Sequence, residues 1–263
     1  MTVSDDDLAA ELAGEAGRRL LALRAGGGDA AALRDAGDRM SHQFLTAELA
    51  RLRPGDAVLS EEGADDPARL SARRVWIVDP LDGTREFGEP GRTDWAVHVA
   101  LWADGELAAG AVGLPAQGTV LSTAAPAGRA RQSSGAPLRL LVSRSRPPAF
   151  VTELAASLDA VLVPMGSAGA KAAAVIGCQA DAYVHSGGQY EWDSAAPVAV
   201  ARAAGLHASR IDGSDLRYNQ EDPSVPDILI CPIELAATLL DAINRSRTAQ
   251  PAGWAEPGQT TTQ

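Results

Sequence analysis

The chain has 263 residues, enough for one large domain or two modest ones. Its hydrophobic fraction of 46% and charged fraction of 22% are those of a soluble globular protein. The net charge of −11 argues against a nucleic-acid groove or an anionic membrane surface, but not against a small anionic substrate whose charge is offset locally by metal ions. Lys171 is the sole lysine. Cys178 and Cys231 lie far apart in apolar surroundings and read as reduced core cysteines, while His42, His98, His185 and His207 show no ligand spacing. An acidic N-terminus without a signal-type apolar stretch, and no apolar run near the ~18 residues of a membrane span, predict a cytoplasmic protein.

In chain order, Leu8, Leu12, Ala16, Leu20 and Leu23 recur at helical spacing and predict a helix over 5–24, with Ser4 as its N-cap and Gly26-Gly27-Gly28 as its end. A second helix is predicted over 33–53, closed by Pro54-Gly55. A short strand over 58–60 runs into Glu61-Glu62-Gly63, and a polar loop covers 65–71. Strands follow over 75–78, 94–102, 106–113 and 119–122, the middle pair joined by Ala103-Asp104-Gly105. Residues 124–137 have linker composition. Beyond them the pattern alternates: strands at 138–143, 160–164 and 182–185, and helices at 148–158, 167–176, 192–204 and 232–245. The expected organisation is an N-terminal α+β unit over 1–125 with an antiparallel sheet, a C-terminal α/β unit over 137–245, and a disordered tail over 246–263. Trp76, Trp95, Trp102 and Trp192 read as core.

The chemistry concentrates where the strand at 75–78 ends in Asp79-Pro80-Leu81-Asp82-Gly83-Thr84. Buried charge is costly unless paired or metal-bound, so two carboxylates three residues apart on a tight turn suit a hard divalent cation. Pro80 fixes φ, Gly83 lets backbone approach a ligand, and the N–H groups of Gly83 and Thr84 face a phosphate if a helix starts there. Further carboxylates sit at Asp38, Glu61-Glu62 and Asp193.

Asp79-Pro80-Leu81-Asp82-Gly83-Thr84 resembles the signature of the lithium-sensitive, magnesium-dependent phosphatases: inositol monophosphatases, fructose bisphosphatases and bisphosphate nucleotidases. Two more stretches match in order, Ser60-Glu61-Glu62-Gly63 and Glu191-Trp192-Asp193-Ser194-Ala195-Ala196-Pro197, so the resemblance spans about 5–245. It implies a layered αβαβα sugar-phosphatase-like fold and two to three Mg²⁺ ions. Glu61, Asp79 and the Leu81 carbonyl would bind the first ion. Asp79, Asp82 and Asp193 would bind the second, with Glu61 also facing a looser third. Asp38 and Thr84 would position and help deprotonate a water, and Glu62 would stand behind the ligands. The family's lysine, about eleven residues before the Asp38 position, is replaced here by the glycine run, leaving that contact missing or supplied by Arg34.

Arg85-Glu86-Phe87 after the signature is similar to the bisphosphate nucleotidases, and the whole chain most resembles their actinobacterial CysQ-type branch. That resemblance implies release of the 3′-phosphate of 3′-phosphoadenosine 5′-phosphate, and of its phosphosulfate, in sulfate assimilation. The alternative is an inositol monophosphatase or fructose-1,6-bisphosphatase; a silent sensor would be expected to lack a ligand or the Thr84 hydroxyl, and none is missing. The 5′-phosphate needs its own site, for which Ser143-Arg144-Ser145-Arg146 and the run Gly166, Ser167 to Lys171 are candidates. Gly83 and Thr84 would touch the scissile phosphate. Gly188, Gln189 and Tyr190 would wall the ribose and adenine, with Tyr190 as a stacking face. The partners expected are a small phosphorylated nucleotide, no nucleic acid, no membrane, and a second copy of the chain, since dimers are common in that family.

Overall fold

The computed structural model describes residues 3–126 and 136–248. Most of the predicted linker and the tail beyond Thr248 lie outside them. Two five-stranded sheets stack with helices above, between and below, in the αβαβα layering that the signature implies.

Helices α1 (Asp5–Ala25) and α2 (Ala30–Leu52) form the first layer. Ser4 Oγ accepts the Asp7 amide at 3.1 Å, satisfying one free N–H of α1. Asp29 does the same for α2 at Ala31 and Ala32, which starts that helix three residues before the predicted 33. The first sheet has the order β1 (Ala57–Ser60), β2 (Arg74–Asp82), β3 (Ala96–Ala103), β4 (Glu106–Leu114), β5 (Thr119–Ser122). It departs from the expected antiparallel sheet at one edge, where β1 and β2 are parallel. Strand β2 is buried on both faces. Trp76 and Val78 pack under α1 and α2, while Val75 and Ile77 face the middle layer, so the period of two supplies two cores at once.

The middle layer is α5 (Ala168–Ile176) and α6 (Glu191–Ala203). Small residues bring it close: a Cβ on Gly110 of β4 would stand 2.7 Å from Ala199 Cβ. The second sheet has the order β7 (Val161–Met165), β6 (Arg139–Ser143), β8 (Ala182–Tyr190), β10 (Ser224–Pro232), β9 (Leu206–Ser209). Its β7-β6-β8 part is parallel, as an α/β unit requires, whereas β10 is antiparallel to β8 and β9. The pattern alone misses β9 and β10. The first has four residues, and the second carries Pro226 at an irregularity in its pairing and Pro232 as its last residue, the positions a strand tolerates. Helices α4 (Val151–Ser157) and α7 (Ile233–Thr248) cover the outer face, where Leu140, Val142, Val184 and Leu229 meet Leu154, Leu239 and Ile243. Ser246–Thr248, assigned by composition to the tail, are the last turn of α7. Cys231 is buried as expected, but Cys178 is only half-buried.

Candidate active site

The site forms where the end of β2 meets the N-termini of α5 and α6. In a regular strand Asp79 and Asp82 would point to opposite faces. Here Asp79 pairs with His98 and Asp82 with Ala96, three steps on β2 against two on β3. The extra residue is a bulge at Pro80-Leu81, and it turns both carboxylates to one side. Gly83 then adopts φ +85, and a Cβ there would stand 3.2 Å from the Asp94 carbonyl and from Ser167 Cβ. A short helix, α3 (Thr84–Gly88), follows.

Carboxylate oxygens of Asp79, Asp82 and Asp193 lie within 4.8 Å of one another. Asp82 is held on one side: its Oδ2 accepts the Ser167 hydroxyl at 2.5 Å and the Gly169 amide at 2.8 Å. His98 Nε2 stands 3.1 Å from the same oxygen, without a hydrogen bond's alignment. These donors leave Oδ1 for a ligand. Asp79 is buried, with Oδ1 accepting the Leu81 amide at 3.0 Å. Asp193 Oδ2 accepts the Tyr190 amide at 2.7 Å. Glu61 follows the end of β1 on the rim of the site, outside the triad but near enough for its charge to act on Asp79.

This much like charge is unstable alone. Burial, then the Glu61 and Asp82 charges, push Asp79 well above the carboxylate range. Burial first and neighbouring carboxylates second raise Asp193 and Glu61 each to about 7. Asp82 is lowered against its burial, because His98 and then Lys171 lend positive charge and Ser167 donates to it. An all-oxygen donor set with unrelieved negative charge suits a hard metal cation.

Thr84 Oγ1 lies 3.3 Å from Asp38 Oδ1 and 3.0 Å from the Leu81 carbonyl. Burial, then the Glu62 charge, raises Asp38 to about 7. Ser41 on the same helix donates to the Pro80 carbonyl at 2.7 Å, tying α2 to the bulge. Arg34 lies against Gly88 and acts on Asp38 only as a nearby charge.

From the carboxylates a cleft of about 210 Å³ opens between the two sheets. Its walls bring together Gly83, Thr84, Ser143, Gly166 and Ser167, and on the far side Gly188 and Gln189. Three expected contacts change. The Arg144 guanidinium reaches the cleft with its charge already matched, by Glu86 at 2.7 Å and by Glu89 at 2.7 Å. Lys171 is no surface residue. Its ammonium is buried and turned back onto the Ser167, Gly166 and Met165 carbonyls at 2.6, 3.2 and 3.4 Å, and burial lowers its pKa to about 8. Tyr190 lies outside the cleft, stacked on Trp192 at 4.8 Å.

Two site residues carry little signal in the sequence: His98, a lone polar side chain inside an apolar strand, and Arg146, one of two arginines in a loop after β6. That guanidinium lines the cleft beside Gly188, where a Cβ would stand 2.9 Å from Nη1, and it has no acidic partner among the described residues. His185 lies next to it and is lowered to about 4, by burial first and then by the Lys171 and Arg146 charges.

Comparison with known proteins agrees with this geometry. The chain is 54% identical over 243 residues to a Mycobacterium tuberculosis protein named 3′-phosphoadenosine 5′-phosphate phosphatase, covering 87% of this chain and 89% of that one. It is 33% identical over 201 residues to Escherichia coli 3′(2′),5′-bisphosphate nucleotidase CysQ, covering 71% and 80%. Among solved structures, inositol monophosphatase II of Staphylococcus aureus superposes with a TM-score of 0.75 at 21% identity over 89% of this chain and 94% of that one, which shows a shared fold. The description of the inositol monophosphatase family matches residues 7–248, a span that holds both sheets and every carboxylate of the site. The chain belongs to the inositol monophosphatase family.

Proposed function

We propose that the chain hydrolyses the 3′-phosphate of 3′-phosphoadenosine 5′-phosphate, giving AMP and phosphate, in the cytoplasm as part of sulfate assimilation. The observation that carries this reading is the cleft itself. It begins at an acidic triad suited to metal and ends at Arg146, a guanidinium with no acidic partner among the described residues, so it offers two separated places for the two phosphates of such a nucleotide. The names of the mycobacterial and CysQ relatives support it.

The cofactor in this reading is two to three Mg²⁺ ions, held by Glu61, Asp79, Asp82, Asp193 and the Leu81 carbonyl. The Thr84 hydroxyl has one proton, which in this reading goes to Asp38, so the Leu81 carbonyl 3.0 Å away keeps its lone pairs for an ion. Magnesium, when bound, supplies the positive charge that a phosphate dianion needs and acidifies water. Asp38, ionised above pH 7, accepts a proton from the attacking water through the Thr84 hydroxyl. Gly83 leaves room for the scissile phosphate. Ser143, Gly166 and Ser167 form the floor, and Gly188 and Gln189 the far wall. Lys171 contributes charge from beneath the floor rather than a direct bond.

The test compares kcat/KM with Mg²⁺ on 3′-phosphoadenosine 5′-phosphate, inositol monophosphate and fructose 1,6-bisphosphate. The bisphosphate nucleotide is expected to lead by about tenfold or more, about 1.4 kcal/mol of transition-state binding. A tenfold lead for either sugar phosphate overturns the assignment, and equal phosphate release by Asp82→Asn overturns the metal assignment.

A further inference from the structure

Arg69 is an arginine with almost no exposure, on a 3-10 turn (Pro67–Ser71), eight residues after Glu61. It grips both Asp65 oxygens, at 2.6 and 2.9 Å. Its remaining donors cross to the other half of the chain, to Asn219 Oδ1 and the Gln220 carbonyl, both at 2.8 Å. Asn219 returns a bond from Nδ2 to the Arg69 carbonyl at 3.2 Å. Glu191, buried at the first position of α6, then receives the amides of Asn219 and Gln220 at 2.7 Å each, one on each carboxylate oxygen. Two residues further along α6 stands Asp193.

An apolar contact would hold this corner at lower cost, since buried charges lose hydration that only complete hydrogen bonding offsets. What hydrogen bonds add is direction. Two short bonds to Glu191 fix the rotation of the first turn of α6, and so the angle at which Asp193 faces Asp79 and Asp82. Asn219 holds φ +58, a conformation glycine would adopt more readily, so its retention of a side chain is explained by the reciprocal pair with Arg69.

We propose that Arg69, Asn219 and Glu191 form a positioning relay that couples the loop after Glu61 to the first turn of α6, setting Asp193 in register with the other carboxylates. This rests on the reading above that these carboxylates hold metal. The relay touches neither substrate nor metal; it acts through the backbone of α6 and through the 61-to-69 loop.

The test is Mn²⁺ affinity by calorimetry on the full chain without substrate, for wild type, Asn219→Gly, Asn219→Asp and Arg69→Met, alongside thermal unfolding in chelator. Asn219→Gly suits the backbone at φ +58 and removes only the side-chain link, so it reports even if Arg69→Met fails to fold. Asn219→Gly is expected to weaken Mn²⁺ binding about tenfold, the usual effect of losing a group that orients a ligand. Asn219→Asp, which keeps an acceptor for Arg69, is expected to restore it to within about twofold of wild type, and kcat at saturating metal is expected to change far less than affinity. Unchanged Mn²⁺ affinity in folded Asn219→Gly overturns the relay, whatever happens to the unfolding temperature. A wild-type chain that binds no Mn²⁺ overturns the metal assignment itself and the relay with it.

Discussion

Arg144 Nη2 stands 2.7 Å from Glu86 Oε1, joining the loop after β6 to α3 across the mouth of the cleft. The same guanidinium bonds Glu89, and Glu86 is buried against Gly166, where any Cβ would collide with it. Glu86 therefore acts by anchoring a cleft wall rather than by touching a nucleotide. Arg144→Ala and Glu86→Ala are each expected to destabilise the protein, with a coupling of about 1 kcal/mol between them. A double-mutant cycle by chemical denaturation measures it; additive losses would count against the clamp.

Arg146 has the opposite character, a guanidinium in the cleft without a carboxylate among the described residues. Arg146→Ala is expected to raise KM for 3′-phosphoadenosine 5′-phosphate about tenfold and to leave adenosine 3′-monophosphate nearly unaffected, because that substrate lacks the second anion. Equal effects on both substrates would remove Arg146 from the 5′-phosphate site.

Thr84 Oγ1 lies between Asp38 and the Leu81 carbonyl. Thr84→Ala is expected to lower kcat about 100-fold while KM changes little, and Thr84→Ser to recover most of the rate, since the hydroxyl acts on water rather than on substrate. Steady-state kinetics with saturating Mg²⁺ separates the two quantities.

Without metal, Asp38, Glu61 and Asp193 are each raised to about 7 from ordinary values near 4. Between those limits the folded protein holds more protons than the unfolded chain, so the linkage slope is negative and stability falls as pH rises from about 4 to 7. Unfolding temperature in chelator is expected to drop across that window, and saturating Mg²⁺ to reverse most of the drop at pH 7. A flat profile in chelator would show that the carboxylates are relieved without metal.

Local pattern and turn chemistry are enough to specify the helix capped by Ser4 and ended by Gly26-Gly27-Gly28, the strands of the first sheet, and the signature from Asp79 to Thr84. The residues that meet in the site are named through the resemblance of three ordered motifs, although Asp38 lies inside α2 rather than at an element end. How they meet depends on contacts between distant parts of the chain. The bulge at Pro80-Leu81 depends on pairing with β3, and it alone puts Asp79 and Asp82 on one side. The roles of the basic residues were equally hidden. Arg144, Arg146 and Lys171 read alike as cations, and what separates them is which acceptors the described residues bring: two carboxylates for Arg144, no carboxylate for Arg146, and three carbonyls for Lys171. Charge is written in the sequence, but whether it is spent inside the protein or left for a ligand depends on contacts between residues far apart along the chain.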